Sequence, residues 1–220
     1  MAVITVSRQF GSGGDEIALD VAERLGYRYL DKRLLAEVAA EISFSEIQMV
    51  DLSEDTYQRR SFIDRLLNRA IPTGAELRIW REDLTGTRVQ EIERLDHEQV
   101  LALIQSVILA LYNRDDYVIL GRGGQVILQN RPGALHVRIE APLEMRTQRV
   151  MAMHNLKEAD AATMIGERDR AAQEYLQRFY GINPSDPLLY HMILNTDHLK
   201  IRTAVEVICT AIVQTEGVRV

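Results

Sequence analysis

The stretch AVITVSRQFGSGGDEIA, residues 2–18, decides how the fold is read. An apolar run with Val3, Ile4 and Val6 enters a loop holding Gly11, Gly13 and Gly14. A helical pattern of Ile17, Ala18, Val21, Ala22 and Leu25 follows at once. Strand, glycine-rich loop and helix are the layout of a phosphate cradle. Glycines let backbone N–H groups turn toward an anion, and a helix N-terminus adds about half a positive charge. The pattern G-x-x-x-x-G-K-[ST] is broken here. Gly13 stands as its second Gly, but Arg8 holds the first Gly position and Gly14 the Lys position. The rival reading is a plain glycine-rich turn between strand and helix.

Outward from this stretch, the chain repeats strand and helix. Gly26 reads as a helix C-cap, and YRYLD (27–31) as a short strand. The charged group Asp31-Lys32-Arg33 follows, at the end of a strand where open α/β sheets keep their ligands; a solvated turn explains it equally well. Helical spacing resumes from His97 to Leu111. YVIL (117–120) then has the character of a buried parallel strand and opens into Gly121-Arg122-Gly123-Gly124. An Arg held in such a turn lies near the ligand crevice, and its planar fork suits a phosphate. ALHVRIEAP (134–142) and LLYHMILN (188–195) read as the last two strands. The strands are thus expected near 2–6, 27–31, 117–122, 134–141 and 189–195. Helical crossovers between them imply a parallel α/β sheet with both faces covered. Ile4, Val118, Ile119, Val137, Ile139, Ile193 and Leu194 are the expected core.

Between the second strand and the His97 helix the chain changes character. Charge is dense, ELRIW (76–80) is the one weak strand signal, and Pro72-Thr73-Gly74 and Thr85-Gly86-Thr87 mark turns. This region is expected to be a mostly helical insertion. Its arginines 59, 60, 65, 69, 78, 81 and 88 are candidate phosphate contacts or paired surface charges, and Trp80 suits packing. Residues 144–153 read as a helix with Arg146 and Arg149 on one face. IGERDRAAQEYLQRFYG (165–181) reads as another; Arg168 and Arg170, two apart, do not share a face, so one of them meets a given ligand.

The 220 residues suit one large domain with a sizeable core. A net charge of −6 argues against a general nucleic-acid binder. Residues 2–6 are too short for a signal peptide core, and no apolar run approaches membrane length. The lone Cys209 cannot form an internal disulfide and sits in an apolar helical pattern as a core thiol. A cytoplasmic protein without membrane or nucleic-acid partners is expected, as a monomer or homodimer.

These parts, in this order, resemble a nucleoside monophosphate kinase, specifically the cytidylate kinases and the cytidylate-kinase-like group. The resemblance runs from Ile4 to about Val207. It is carried by SRQFGSGG (7–14), LGYRYLD (25–31), ILGRGG (119–124), ERDR (167–170) and LNTD (194–197). It implies a P-loop kinase fold with a five-stranded parallel sheet of order 2-3-1-4-5. It also implies a single domain with core 1–34, 98–151 and 188–220, a monophosphate-binding insertion near 35–97 and a lid near 152–187. The implied reaction moves the γ-phosphoryl group of ATP to a nucleoside monophosphate with Mg²⁺, and CMP or dCMP leads as acceptor. The chain departs from the cytidylate kinase pattern at Gly14 (a Lys there), Glu16 (a Thr), Ala172 (an Asp), Tyr175 (an Arg) and Glu37 (an Arg).

Phosphoryl transfer is mostly positioning and charge neutralisation. Backbone groups of Gly11, Ser12, Gly13 and Gly14 would hold ATP, with Asp15 and Glu16 beside them and Ser12 or Asp15 meeting Mg²⁺. Arg8 is the candidate to replace the missing Lys, and Lys32 is second. The alternative for Arg8 is a pair with a carboxylate such as Asp31. Arg122 would hold the acceptor phosphate, with Asp31, Lys32 and Arg33 near it. Arg146, Arg149, Arg168 or Arg170 would close over the γ-phosphate. Two rival readings stay open: a kinase of another small metabolite, and a nucleotide-binding protein without catalysis.

Overall fold

A computed structural model describes residues 2–30, 47–49, 75–82, 88–95 and 97–216. Asp31, Lys32, Arg33, Glu37, Arg59, Arg60, Arg65 and Arg69 lie outside the described residues. The chain forms two compact units, one of Met1–Tyr29 with Tyr112–Val220 and one of Leu30–Leu111.

The first unit is built on β1 (Val3–Arg8), β6 (Tyr117–Leu120), β7 (Ala134–Glu140) and β8 (Met192–Asn195). With β2 (Arg28–Leu30) at one edge, the sheet order is β2-β6-β1-β7-β8. Counting only these five strands, that is the expected 2-3-1-4-5. β1 lies in the middle and pairs in parallel with β6 and β7, Ile4 opposite Val118 and Leu135. A central strand is buried on both faces, and here Val3, Ile4 and Val6 are joined by the buried polar residues Thr5 and Ser7.

Helix α1 (Gly14–Leu25) covers one face with Ile17, Ala18, Val21 and Ala22, joined by Ala204, Val205, Ile208 and Ile212 of α6 (Ile201–Glu216). Burial of each Ile or Val there is worth about 1.5–3 kcal/mol. α1 stops at Gly26, whose φ of 69° is left-handed and whose N–H reaches back to Glu23 O. On the other face lie Thr5, Ser7, His136 and Arg138, all buried, an outcome of the two-residue period in β1 and β7. Six of the seven expected core residues are buried. Ile193 is not: it is 40% exposed, on an edge strand paired only with β7. The last strand also starts later than expected, because Pro187–Leu189 forms a 3-10 turn capped by the Asp186 side chain.

The insertion is corrected more deeply. Among its described residues it is not mostly helical. β3 (Ile47–Met49), β4 (Ala75–Glu82) and β5 (Arg88–Leu95) form an antiparallel sheet in that order. Arg78, Trp80 and Arg81 therefore lie on β4 and Arg88 on β5. The helix expected from His97 is α2 (His97–Arg114). After β6 come α3 (Gly124–Ile127), α4 (Leu143–His154) and α5 (Glu158–Tyr180). α5 is one helix of 23 residues and begins at Glu158, ahead of the helix expected over 165–181. Among the described residues, no helix is long and apolar enough to cross a membrane.

The polar row on the sheet has a consequence for stability. His136 is 4% exposed, shares a hydrogen bond with the Thr5 hydroxyl at 2.8 Å and stacks on His191 at 4.9 Å. Burial, then the neighbouring His191, lowers its pKa from 6.5 to about 4. Below pH 6.5 the unfolded chain gains a proton that the native chain refuses. Stability is therefore fully present above that pH and is lost as pH falls toward 4, by about 3 kcal/mol for this group. Denaturant midpoints compared at pH 7 and 4.5 should fall in the parent and fall much less in His136→Gln. Equal falls in both proteins would refute the assignment.

Candidate functional site

The loop from Gln9 to Gly13 joins β1 to α1 at the carboxyl end of the sheet. Gly11 and Gly13 have φ of 78° and 82°. Ile17 N–H donates to Gly13 O as the first helical bond. An α-helix leaves its first N–H groups without intrahelical acceptors, here those of Gly14, Asp15 and Glu16. Together they are an anion-binding terminus.

Arg8 ends β1 and turns across the start of α1. Its Nη2 and Nε reach the two carboxylate oxygens of Asp15 at 2.9 and 3.2 Å. The expected alternative of a carboxylate partner is therefore realised, with Asp15 as the acid; Asp31 lies outside the described residues. The stem of Arg8 crosses Gly14 closely. A Cβ on Gly14 would sit 2.5 Å from Arg8 Cβ and 3.2 Å from Ile139 Cβ. At its far end, Nη1 lies 3.1 Å from where a Cβ on Gly121 would be. The guanidinium thus bridges the two glycine turns, the first after β1 and the second after β6.

The second turn is left-handed three times over, with φ of 72° at Gly121, 58° at Arg122 and 74° at Gly123. For Arg122 this is an unusual backbone that the flanking glycines make accessible. α5 packs on the same turn. The Tyr180 ring would collide with a Cβ on Gly123, at 2.6 Å, and its hydroxyl donates to Arg122 O at 3.4 Å. Burial raises the pKa of the nearby Tyr175 phenol, and the charge of Arg122 pulls it partly back.

Other expected phosphate ligands have different partners. Arg149 Nη1 donates to Ser12 O at 3.0 Å and to the Thr196 hydroxyl at 2.8 Å, and that hydroxyl donates to Ser12 O at 2.6 Å. Arg146, 7% exposed, bonds Ala141 O, Phe10 O and Asp169. Both arginines hold the loop from behind, because α4 packs under it and their donors meet carbonyls first. On α5, Arg168 lies 5.2 Å over the Phe10 ring, whereas Arg170 is exposed. The two side chains thus point differently, as residues two apart on a helix do.

Asp169, Thr196 and Arg138 were not singled out in the sequence. Arg138 bonds Glu140, Ser7 and Tyr190 in the buried row on β7. The alternation of His136, Arg138 and Glu140 was the available signal. Ser12 Oγ is buried with no hydrogen-bond partner among the described residues, and the Asp15 side chain is 57% exposed. Mg²⁺ in phosphate-transfer sites takes one or two carboxylates plus substrate phosphates. Asp15 offers a carboxylate, both of whose oxygens accept from Arg8, and Ser12 an unsatisfied hydroxyl, with Glu16 exposed beside them.

The cytidylate kinase-like family has a model that matches residues 3–198. A uronate isomerase of Corynebacterium glutamicum is 34% identical over 94 residues, 43% of this chain but 18% of that protein. A cytidylate kinase of Sulfolobus acidocaldarius is 21% identical over 197 residues, covering 89% of this chain and 86% of the relative. The crystal structure of an uncharacterized protein from Eubacterium ventriosum is similar with a TM-score of 0.67 and 19% identity, over 96% of this chain and 98% of that one. At this identity the structural likeness speaks for the fold.

Proposed function

The chain belongs to the cytidylate kinase-like family, and from that premise we propose that it transfers the γ-phosphoryl group of ATP to a nucleoside monophosphate, CMP or dCMP first. It is a nucleoside monophosphate kinase-like phosphotransferase. The observation that carries the proposal is the position of Arg8, a permanent cation between two glycine turns at the carboxyl end of a parallel sheet.

In this reading the N–H groups of Gly11 and of Gly13 to Glu16 receive the ATP phosphates, the Ser12 N–H being taken by Gln9 O. Arg8 lies beside them and neutralises charge that shifts toward the leaving oxygen during transfer. Arg122 grips the acceptor phosphate, and Arg168 closes with the lid. No general base is needed, because an acceptor phosphate is already an anion. Mg²⁺, when bound, neutralises phosphate charge. Asp15 and Ser12 would hold it, with Glu16 acting through water. The enzyme is proposed to work in the cytoplasm on small nucleotides, without a nucleic-acid or membrane partner.

A second reading, transfer to another small metabolite, is favoured by Ala172 and Tyr175, which stand where cytidylate kinases carry an Asp and an Arg. Coupled ADP release measured with CMP, dCMP, UMP, AMP and GMP separates the two. The Arg122→Ala variant should lose acceptor kcat/KM by about 1.5–3 kcal/mol, roughly 10- to 150-fold, with ATP affinity nearly unchanged. Equal loss of both affinities would remove Arg122 from the acceptor site. ADP release with none of the five nucleotides would reject the first reading.

A further inference from the structure

Phe10 is the second residue of the loop that joins β1 to α1, and both polar groups of its backbone are taken by side chains. Its N–H donates to Asp169 Oδ1 at 3.0 Å. Its carbonyl accepts from Arg146 Nη1 at 3.2 Å. The same Nη1 meets Asp169 Oδ2 at 2.6 Å, which closes a ring around one residue of the loop. Nε of Arg146 donates to Ala141 O at 3.0 Å, which anchors the ring to the end of β7. The Phe10 side chain is held as well, under the Arg168 guanidinium and against the cluster of Val150, Ala161 and Ile165.

We infer that Asp169 is a positioning residue for nucleotide binding, a carboxylate on the lid helix that sets the shape of the phosphate loop before ATP arrives. This rests on the phosphotransferase reading above. Three physical points support it. The Phe10 N–H is turned away to a protein anion, so the phosphate cradle begins after it, at Gly11. Arg146 has a side chain only 8% exposed, and Asp169 is the only carboxylate shown to pair with it among the described residues. A buried guanidinium without its counter-charge is costly, so the loop and α5 are held in one arrangement. Lastly, α5 reaches the second glycine turn through Tyr180, eleven residues further along, about 16 Å at 1.5 Å per residue. One stiff helix therefore touches both glycine turns, and a lid movement that frees Asp169 also moves Tyr180.

The test uses Asp169→Asn and Asp169→Ala with three readouts. Asn keeps an acceptor for the Phe10 N–H but no charge for Arg146; Ala keeps neither. In nucleotide-free protein, amide hydrogen exchange at Phe10 should speed up about tenfold or more in the Ala variant and less in the Asn variant. The ATP dissociation constant should rise about tenfold in Asp169→Ala, the size of one lost charged hydrogen bond, with an intermediate rise in Asp169→Asn. With ATP saturating, kcat should stay within a few-fold of the parent. If Asp169→Ala does not fold, Asp169→Asn carries the comparison. Parent-like Phe10 exchange together with parent-like ATP affinity would overturn the inference, and so would a collapse of kcat at saturating ATP. Should the parent fail to bind ATP, the phosphotransferase reading falls and the positioning role falls with it. A parent that binds ATP alongside variants that bind it equally well removes only Asp169.

Discussion

Arg8→Ala should reduce turnover about 100-fold or more, the effect of removing one donor that acts in the transition state. Three features meet at this residue. Gly14 supplies no charge where a Lys is expected, Arg8 begins from the end of the central strand, and its guanidinium lies between both glycine turns. Transfer from ATP needs a cation near the shifting charge besides the metal. The competing view is that Arg8 only secures Asp15. That pair is partly exposed, with side chains 33% and 57% accessible, and such pairs contribute little to stability, about 0–1 kcal/mol. Arg8→Ala should therefore remain folded, with an unfolding midpoint close to the parent's. Asp15→Ala separates the views: it removes the pair but leaves the cation, so it should cost less turnover than Arg8→Ala. Arg8→Lys should keep partial turnover, since an ammonium supplies charge without the planar fork. Turnover of folded Arg8→Ala within a few-fold of the parent would dismiss the role.

Gly14→Lys, which restores the usual phosphate-loop cation, should lower both stability and turnover. The new Cβ would stand 2.5 Å from Arg8 Cβ and 2.9 Å from Arg8 Cγ. These atoms belong to the base of a side chain rooted in β1, so relief requires movement of the central strand or of the helix start. Overpacking of this kind costs about 1–3 kcal/mol, and displacement of the loop should reduce turnover by about two orders of magnitude. The decisive comparison is the double variant Arg8→Gly with Gly14→Lys, which removes the obstruction and relocates the cation. It should be more stable than Gly14→Lys alone, a non-additivity expected of residues in direct contact. Denaturation of the four proteins checks this. A Gly14→Lys protein as stable and active as the parent would show that the two positions are independent.

The second compact unit shows where sequence patterns misled. Val89, Ile92 and Leu95 recur every three residues among Arg88, Gln90, Glu91, Glu93 and Arg94, a spacing that imitates one face of a helix. These residues instead form β5 against β4, Trp80 opposite Gln90 and Ile79 opposite Glu91. Strand pairing is decided by a partner elsewhere in the chain, and charged residues weaken the local strand signal. Thr85-Gly86-Thr87, read as a turn, lie outside the described residues.

Whereas the strand order entered only as what the family resemblance implies, the sequence alone determined the parallel sheet and the place of both glycine turns. Those features follow from short-range physics: unbroken apolar runs for buried strands, glycines where φ turns positive, and apolar spacing for α1 and α6. It also exposed Arg8 and Gly14 as two departures from one pattern. Only the tertiary structure joined them, by laying the stem of Arg8 across the face of Gly14. It likewise brought Asp169 to Phe10 across 159 positions and Thr196 to Ser12 across 184. Contacts at such separation leave no trace in local propensity. They exist because helix packing against the sheet brings α4, α5 and the start of α6 under one short loop, where its carbonyls and N–H groups must find partners.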